Sequence, residues 1–114
     1  MTSPQLPNYL LSNRKRLALS QDEVAFLLGA ESGENVCRHE RFLREPTLAT
    51  ALAYEVIFKR SASELFGGLY QRIEGEIIAR AKILYGKAGG RKLNQRTTHK
   101  HRMLSDLAGI RLQK

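Results

Sequence analysis

Apolar and polar positions along the chain mark out helices. In SQDEVAFLL, residues 20–28, Val24, Leu27 and Leu28 fall at i, i+3 and i+4, the spacing of one helical face. Ser20 and Glu23 stand in front of that face as an S-x-x-E capping box, and Gly29 stops the helix. The same reasoning predicts four more helices. One runs over 9–17, with Asn8 as its cap behind Pro7. Another covers 33–42, capped by Ser32 and closed off by Pro46, whose preceding residue avoids the helical basin. A fourth spans 48–58 behind Thr47, with Leu48, Leu52, Glu55/Val56 and Lys59 as its inward stripe. The fifth opens at the S-x-x-E box of Ser61 and Glu64 and continues through LFGGLYQRIEGEIIARAKILY. Its stripe is Leu69, Ile73, Ile77, Ile78, Ile83 and Leu84, and Gly67–Gly68 is a weak point where it kinks or restarts. No strand-like alternation, internal repeat or long low-complexity tract occurs.

From Gly86 the pattern changes. GKAGGRKLNQRTTHKHR has three glycines and no apolar period, which predicts a flexible linker. The closing MLSDLAGIRLQK has amphipathic spacing, but Gly109 argues against a stable helix there.

The third helix poses a question of its own. SGENVCRHERFLREP carries Val36 and Phe42/Leu43 as ordinary core residues, and the rest is mostly polar and long-armed. A helix lying in the DNA major groove needs such a composition, with a narrow apolar seam to hold it and a polar face to reach base edges. Charge changes the picture in the same direction. The net charge of +8 divides unevenly: residues 1–86 hold 11 Lys+Arg against 10 Asp+Glu, whereas 87–114 hold 8 against one. The body is nearly neutral and the tail is a basic arm, suited to a polyanion, most often nucleic acid, or else a solubilising tail.

Size and composition set the outer limits. With 114 residues, 42% of them hydrophobic, the chain has material for one modest core. The single Cys37 excludes an internal disulfide. No segment approaches the ~18 apolar residues of a membrane span. MTSPQLPNYL lacks the basic start and apolar run of a secretory signal, so a cytoplasmic location is expected.

The order of these signals resembles the Cro/cI-type (XRE-type) helix-turn-helix family. The resemblance is carried by Arg14, Ser20-Gln21, Val24-Ala25, Gly29, Val36-x-x-His39-Glu40-Arg41, Pro46 and the Ser61–Leu65 motif, and it covers residues 9–66, about half the chain. It implies an all-α, five-helix lambda-repressor-like fold over 8–85, with an extended fifth helix and a basic flexible tail over 86–114. It implies a sequence-specific DNA-binding transcriptional regulator, of repressor type, that binds double-stranded DNA through helix 33–42. A homodimer is expected on symmetry grounds, since two copies would present two recognition helices about one DNA turn apart, and the stripe Ile73, Ile77, Ile78, Ile83 and Leu84 is either plain core or a dimer surface. By the same resemblance Gln21 contacts a phosphate, and Arg14 and Glu40 form a structural pair that ties the first helix to the end of the recognition helix. Three departures stand out. GAESG has about one residue more than the usual turn, Phe42 replaces the usual Gly after Glu-Arg so that the helix can run on, and His39 occupies a common Ile position.

The remaining site residues follow from side-chain chemistry. Asn35 can pair with adenine and Arg38 with guanine, Glu34 can accept from cytosine, and Gly33 lies on the same base-facing side. Ser32, Arg41 and Arg44 are expected at phosphates along with Gln21. The longer turn leaves open whether Glu34, Asn35 or both point at bases. A solvated helix face is the plain alternative for each of these side chains. Cys37 reads as a small buried cysteine rather than a redox switch. His99-x-His101 lacks a third ligand at metal-site spacing, so no metal is expected. No catalytic order or phosphate loop occurs, so neither an enzyme nor a cofactor is implied, and no small-molecule effector is evident. The competing reading is an antitoxin-like or adaptor module that uses the same fold to bind a protein. A weaker one is nonspecific nucleic-acid binding led by the basic arm.

Overall fold

The computed structural model describes residues 6–88 and 95–109. Among them it is all-helical, with α1 Leu10–Arg16, α2 Gln21–Leu28, α3 Glu34–Glu40, α4 Leu48–Phe58, α5 Ala62–Leu65, α6 Gly67–Ala88 and α7 Gln95–Leu107. The chain divides into two compact units, Met1–Gln71 and Arg72–Lys114.

In the first unit the caps behave as their side chains dictate. Ser20 and Glu23 exchange both bonds of the capping box, at 3.0 and 2.8 Å. Thr47 and Ser61 each accept a backbone N–H three residues on. Asn8 caps one position earlier than a standard N-cap, its Oδ1 accepting from the Leu10 N–H at 3.1 Å. Gly29 closes α2 in the left-handed region at φ 77, and the Ala30 N–H reaches back to the Ala25 carbonyl at 2.8 Å.

The core gathers Leu10, Val24, Ala25, Val36, Tyr54, Phe58, Leu65 and Phe66, with Leu19, Leu28, Ala51 and Ile57 packed around them. Tyr54 is its centre. Phe58 stacks on it at 5.9 Å, and Phe66 and His39 meet it edge-on at 6.3 and 5.7 Å.

Several expectations need correction. On α2 the inward residues are Val24, Ala25 and Leu28, while Leu27 is exposed. On α4 the inward row is Ala51, Tyr54, Ile57 and Phe58, and Leu48, Leu52 and Val56 point outward at 76, 49 and 75% exposure. LATALAYEVIF carries two apolar stripes of helical period, and the aromatic one wins because it buries more area. Glu55, assigned to the same inward stripe, accepts the Ala62 N–H at 2.8 Å and so anchors the start of α5. The break expected at Gly67–Gly68 is present: Phe66, at φ −112 and ψ 45, leaves the helical basin, and α6 starts at Gly67. The segment expected to be a flexible tail contains α7, and helical geometry continues through Gly86 to Ala88. Residues 89–94 and 110–114 lie outside the described part.

Candidate nucleic-acid interface

α3 is short, and what holds it is mostly not its own helix. Val36 and His39 are buried, at 1 and 7% exposure, and form its inward seam. Within that seam His39 Nδ1 is paired, 2.8 Å from the Tyr54 hydroxyl. Burial, helped by the Arg44 charge, lowers the His39 pKa from its ordinary 6.5, so the imidazole stays neutral. The Tyr54 hydroxyl is held protonated far above its usual range by burial and then by the Glu40 charge. The Asn8 amide donates to the His39 carbonyl at 2.8 Å and closes the end of α3 from the α1 side.

The last residue of α3 is the anchor. Glu40 accepts from Arg14 Nε at 2.6 Å and Nη2 at 3.2 Å, a two-pronged guanidinium–carboxylate pair. Gln21 Nε2 donates to the same carboxylate at 3.0 Å, and Arg14 Nη1 donates to the Leu19 carbonyl at 3.0 Å. Hydrogen bonding to Glu40 raises the Arg14 pKa, so the guanidinium stays charged. One carboxylate thus ties the end of α3 to α1 and to the first residue of α2. The structure brings together Arg14 and Glu40, the pair that the resemblance implied.

The start of α3 is fixed differently. Asp22 Oδ1 accepts the Gly33 N–H at 2.9 Å, so the cap comes from α2 across the turn. Ser32, expected as the cap, makes only a long 3.4 Å contact to the Glu34 N–H and stands exposed. Gly33, expected on the base-facing side, is buried instead. A Cβ there would sit 2.8 Å from Asp22 Oδ1 and 3.0 Å from the Gln21 carbonyl carbon. Its hydrogen is what lets α3 approach the start of α2. Gln21, expected at a phosphate, is half-buried with its amide nitrogen spent on Glu40, so its place is in the anchor.

At the other end the helix does not run on. Arg41 is the cap, and Phe42 takes φ 56. That is the left-handed conformation in which a glycine is at home, adopted here by a phenylalanine at a cost of about 1–2 kcal/mol.

Glu34, Asn35, Arg38, Arg41 and Arg44 are left exposed. At about 100° per residue Glu34, Arg38 and Arg41 form one row, and Asn35 flanks it. Both Glu34 and Asn35 are therefore on the outer side, so the longer turn has not turned either inward. Cys37 is half-buried and a free thiol. Sequence reasoning missed Asp22, Asn8 and Tyr54 as supports of this helix. A residue 11, 31 or 15 positions away acts on it only through the fold.

No family model matches the chain, and neither a curated protein nor a solved structure gives a significant match to it.

Proposed function

We propose that the protein is a sequence-specific DNA-binding transcriptional regulator, of repressor type, that acts in the cytoplasm and lays α3 in the major groove. In this reading the first unit is a five-helix, lambda-repressor-like helix-turn-helix domain of Cro/cI type. The observation that carries it is the division of α3 into two faces. One is docked through Val36 and His39 and clamped at Glu40, and the other holds Glu34, Asn35 and Arg38 clear of the body. Such an arrangement fixes the angle of a helix while leaving its polar side for another molecule, which a merely structural helix does not need.

The roles follow from reach and chemistry. Asn35 and Arg38 read bases, Glu34 accepts from cytosine or rejects wrong sites, and Ser32, Arg41 and Arg44 contact phosphates. Arg14, Gln21 and Glu40 position the helix. Two copies would present two α3 helices about one DNA turn apart to a near-palindromic site. Selection from a random pool of duplex DNA tests this directly. A consensus should emerge, and Arg38→Ala should cost about 1–3 kcal/mol and relax the preference at one position. Arg102→Gln, in the basic arm, should weaken all sequences alike and lower the salt slope by about one. A pool that yields no preferred site overturns the proposal.

A second reading, an antitoxin-like or adaptor module, is favoured by Leu48, Leu52 and Val56, which make an outward apolar row on α4. It predicts that Leu52→Glu abolishes function while Arg38→Ala does not.

A further inference from the structure

Residues 72–114 form a compact unit, of which 72–88 and 95–109 are described. Its buried core is Ala81, Leu104 and Ala108, with Tyr85 packed against them. Tyr85 stacks on His101 at 4.3 Å between ring centroids, while Ala81 lies with Leu104 and Ala108. Positions rising along α6 thus meet positions falling along α7, and the two helices are antiparallel. Among the described residues, two alanines, a leucine and half a tyrosine are a thin core for a unit close to the size, about 40 residues, below which a chain usually needs a disulfide, a metal or a partner.

Among the described residues of the same unit, several large apolar side chains are outside. Ile73, Ile77 and Leu84 on α6 are 43, 42 and 49% exposed, and Met103 and Leu107 on α7 are 49 and 41% exposed. At about 100° per residue each group falls within roughly 40° of its helix circumference. On both helices the stripe lies about 80–100° from the core-facing residues, in the same rotational sense. In an antiparallel pair that shared sense puts the two stripes on one side, so they merge into a single apolar face. The five side chains expose on the order of 400 Å² per copy, about half of a standard partner surface, and the aliphatic stems of Arg80 and Lys100 on the same side extend it.

We propose that this face is where two copies of the chain meet, the hairpins packing as an antiparallel four-helix bundle. A second copy is the occupant that fits. It brings an identical apolar face, self-complementary about a two-fold axis, and it covers the large side chains that the described core of Ala81, Leu104 and Ala108 leaves outside. The face carries cations and no acid among its stripe residues, so the association is held by apolar burial, and the two Arg80 side chains reach past the seam to water. The inference locates the pairing that the proposed function calls for, but it rests on residues of this unit and not on DNA binding.

Sedimentation equilibrium of the full chain without DNA tests it. The wild type should be a dimer at about 100 μM and below, Ile77→Glu or Met103→Glu should raise the dissociation constant at least roughly 100-fold, and Ile77→Ala, which keeps a strong helix former, should raise it roughly 10-fold. Ile83, 61% exposed but about 100° from the stripe, is the control, and Ile83→Glu should leave the constant within a factor of about 3. Helicity by circular dichroism separates weakened pairing from a misfolded chain, and Ile77→Ala decides the matter if the glutamate variants lose helix. A monomeric wild type, a dimer indifferent to Ile77→Ala, or equal disruption by Ile83→Glu would overturn the proposal. Arg38→Ala should leave the dimer intact, so failure of the DNA reading and failure of this one give different results.

Discussion

Glu40 offers the sharpest quantitative test of how α3 is held. Its side chain is 5% exposed and that of Arg14 14%, so the pair sits near the buried end of the range. An exposed pair contributes about 0–1 kcal/mol, whereas removing one partner of a buried pair costs about 3–5 kcal/mol, because the other charge stays enclosed. Glu40→Leu leaves the Arg14 guanidinium with the Leu19 carbonyl alone and leaves the Gln21 amide without its acceptor. A loss of about 3 kcal/mol is expected, and at about 4 °C or more per kcal/mol for a domain of this size the melting temperature should fall by at least about 12 °C. The double variant Arg14→Leu, Glu40→Leu removes both charges and should recover much of that loss, giving a coupling of about 2 kcal/mol in a double-mutant cycle. Urea unfolding followed by circular dichroism measures all four corners of the cycle. A single-variant cost below about 1 kcal/mol, or strict additivity, would show that the carboxylate is not the clamp described above.

Other expectations follow from the same geometry. His39 is held neutral, so as the pH falls below about 6.5 the unfolded chain takes up a proton that the folded chain refuses. The stability of the neutral imidazole is therefore complete above 6.5 and is lost as the pH falls towards the lowered folded value. Urea midpoints at pH 7.5 and 5 should differ more for the wild type than for His39→Gln, and parallel profiles would refute this. Lys59 closes α4 at φ 55 with an exposed side chain, so Lys59→Gly should raise stability by about 0.5–1 kcal/mol after the entropy of glycine in the unfolded chain is subtracted. Gly33→Ala should cost about 1–3 kcal/mol in unfolding experiments, because the backbone of Gln21 cannot yield as a side chain would.

The helices of the first unit were legible because caps and periods are local. Ser20 with Glu23, Thr47 with Thr50 and Ser61 with Glu64 each act over three residues, within reach of any reading of adjacent positions. The pairing of Arg14 with Glu40 was reachable only through the family resemblance, since no spacing rule links residues 26 apart. The α4 stripe was misread for a definite reason. A helix with apolar residues on two sides satisfies two periods at once, and only the position of Tyr54 among His39, Phe58 and Phe66 selects one.

The sequence by itself determined where α2 and α4 begin and end, that α3 would be poor in apolar surface, and that positive charge would concentrate beyond residue 86. The tertiary structure decided what each of those features touches. It buried Gly33, turned Gln21 from an outward hand into part of the Glu40 anchor, bent Phe42 into a glycine-like conformation, and paired α7 with α6 where composition suggested a linker. The physical reason is common to all four. Local propensity ranks conformations by a few tenths of a kcal/mol per residue, while a buried hydrogen bond, a close helix approach or an apolar contact is worth about 1 kcal/mol or more and depends on partners distant in the chain.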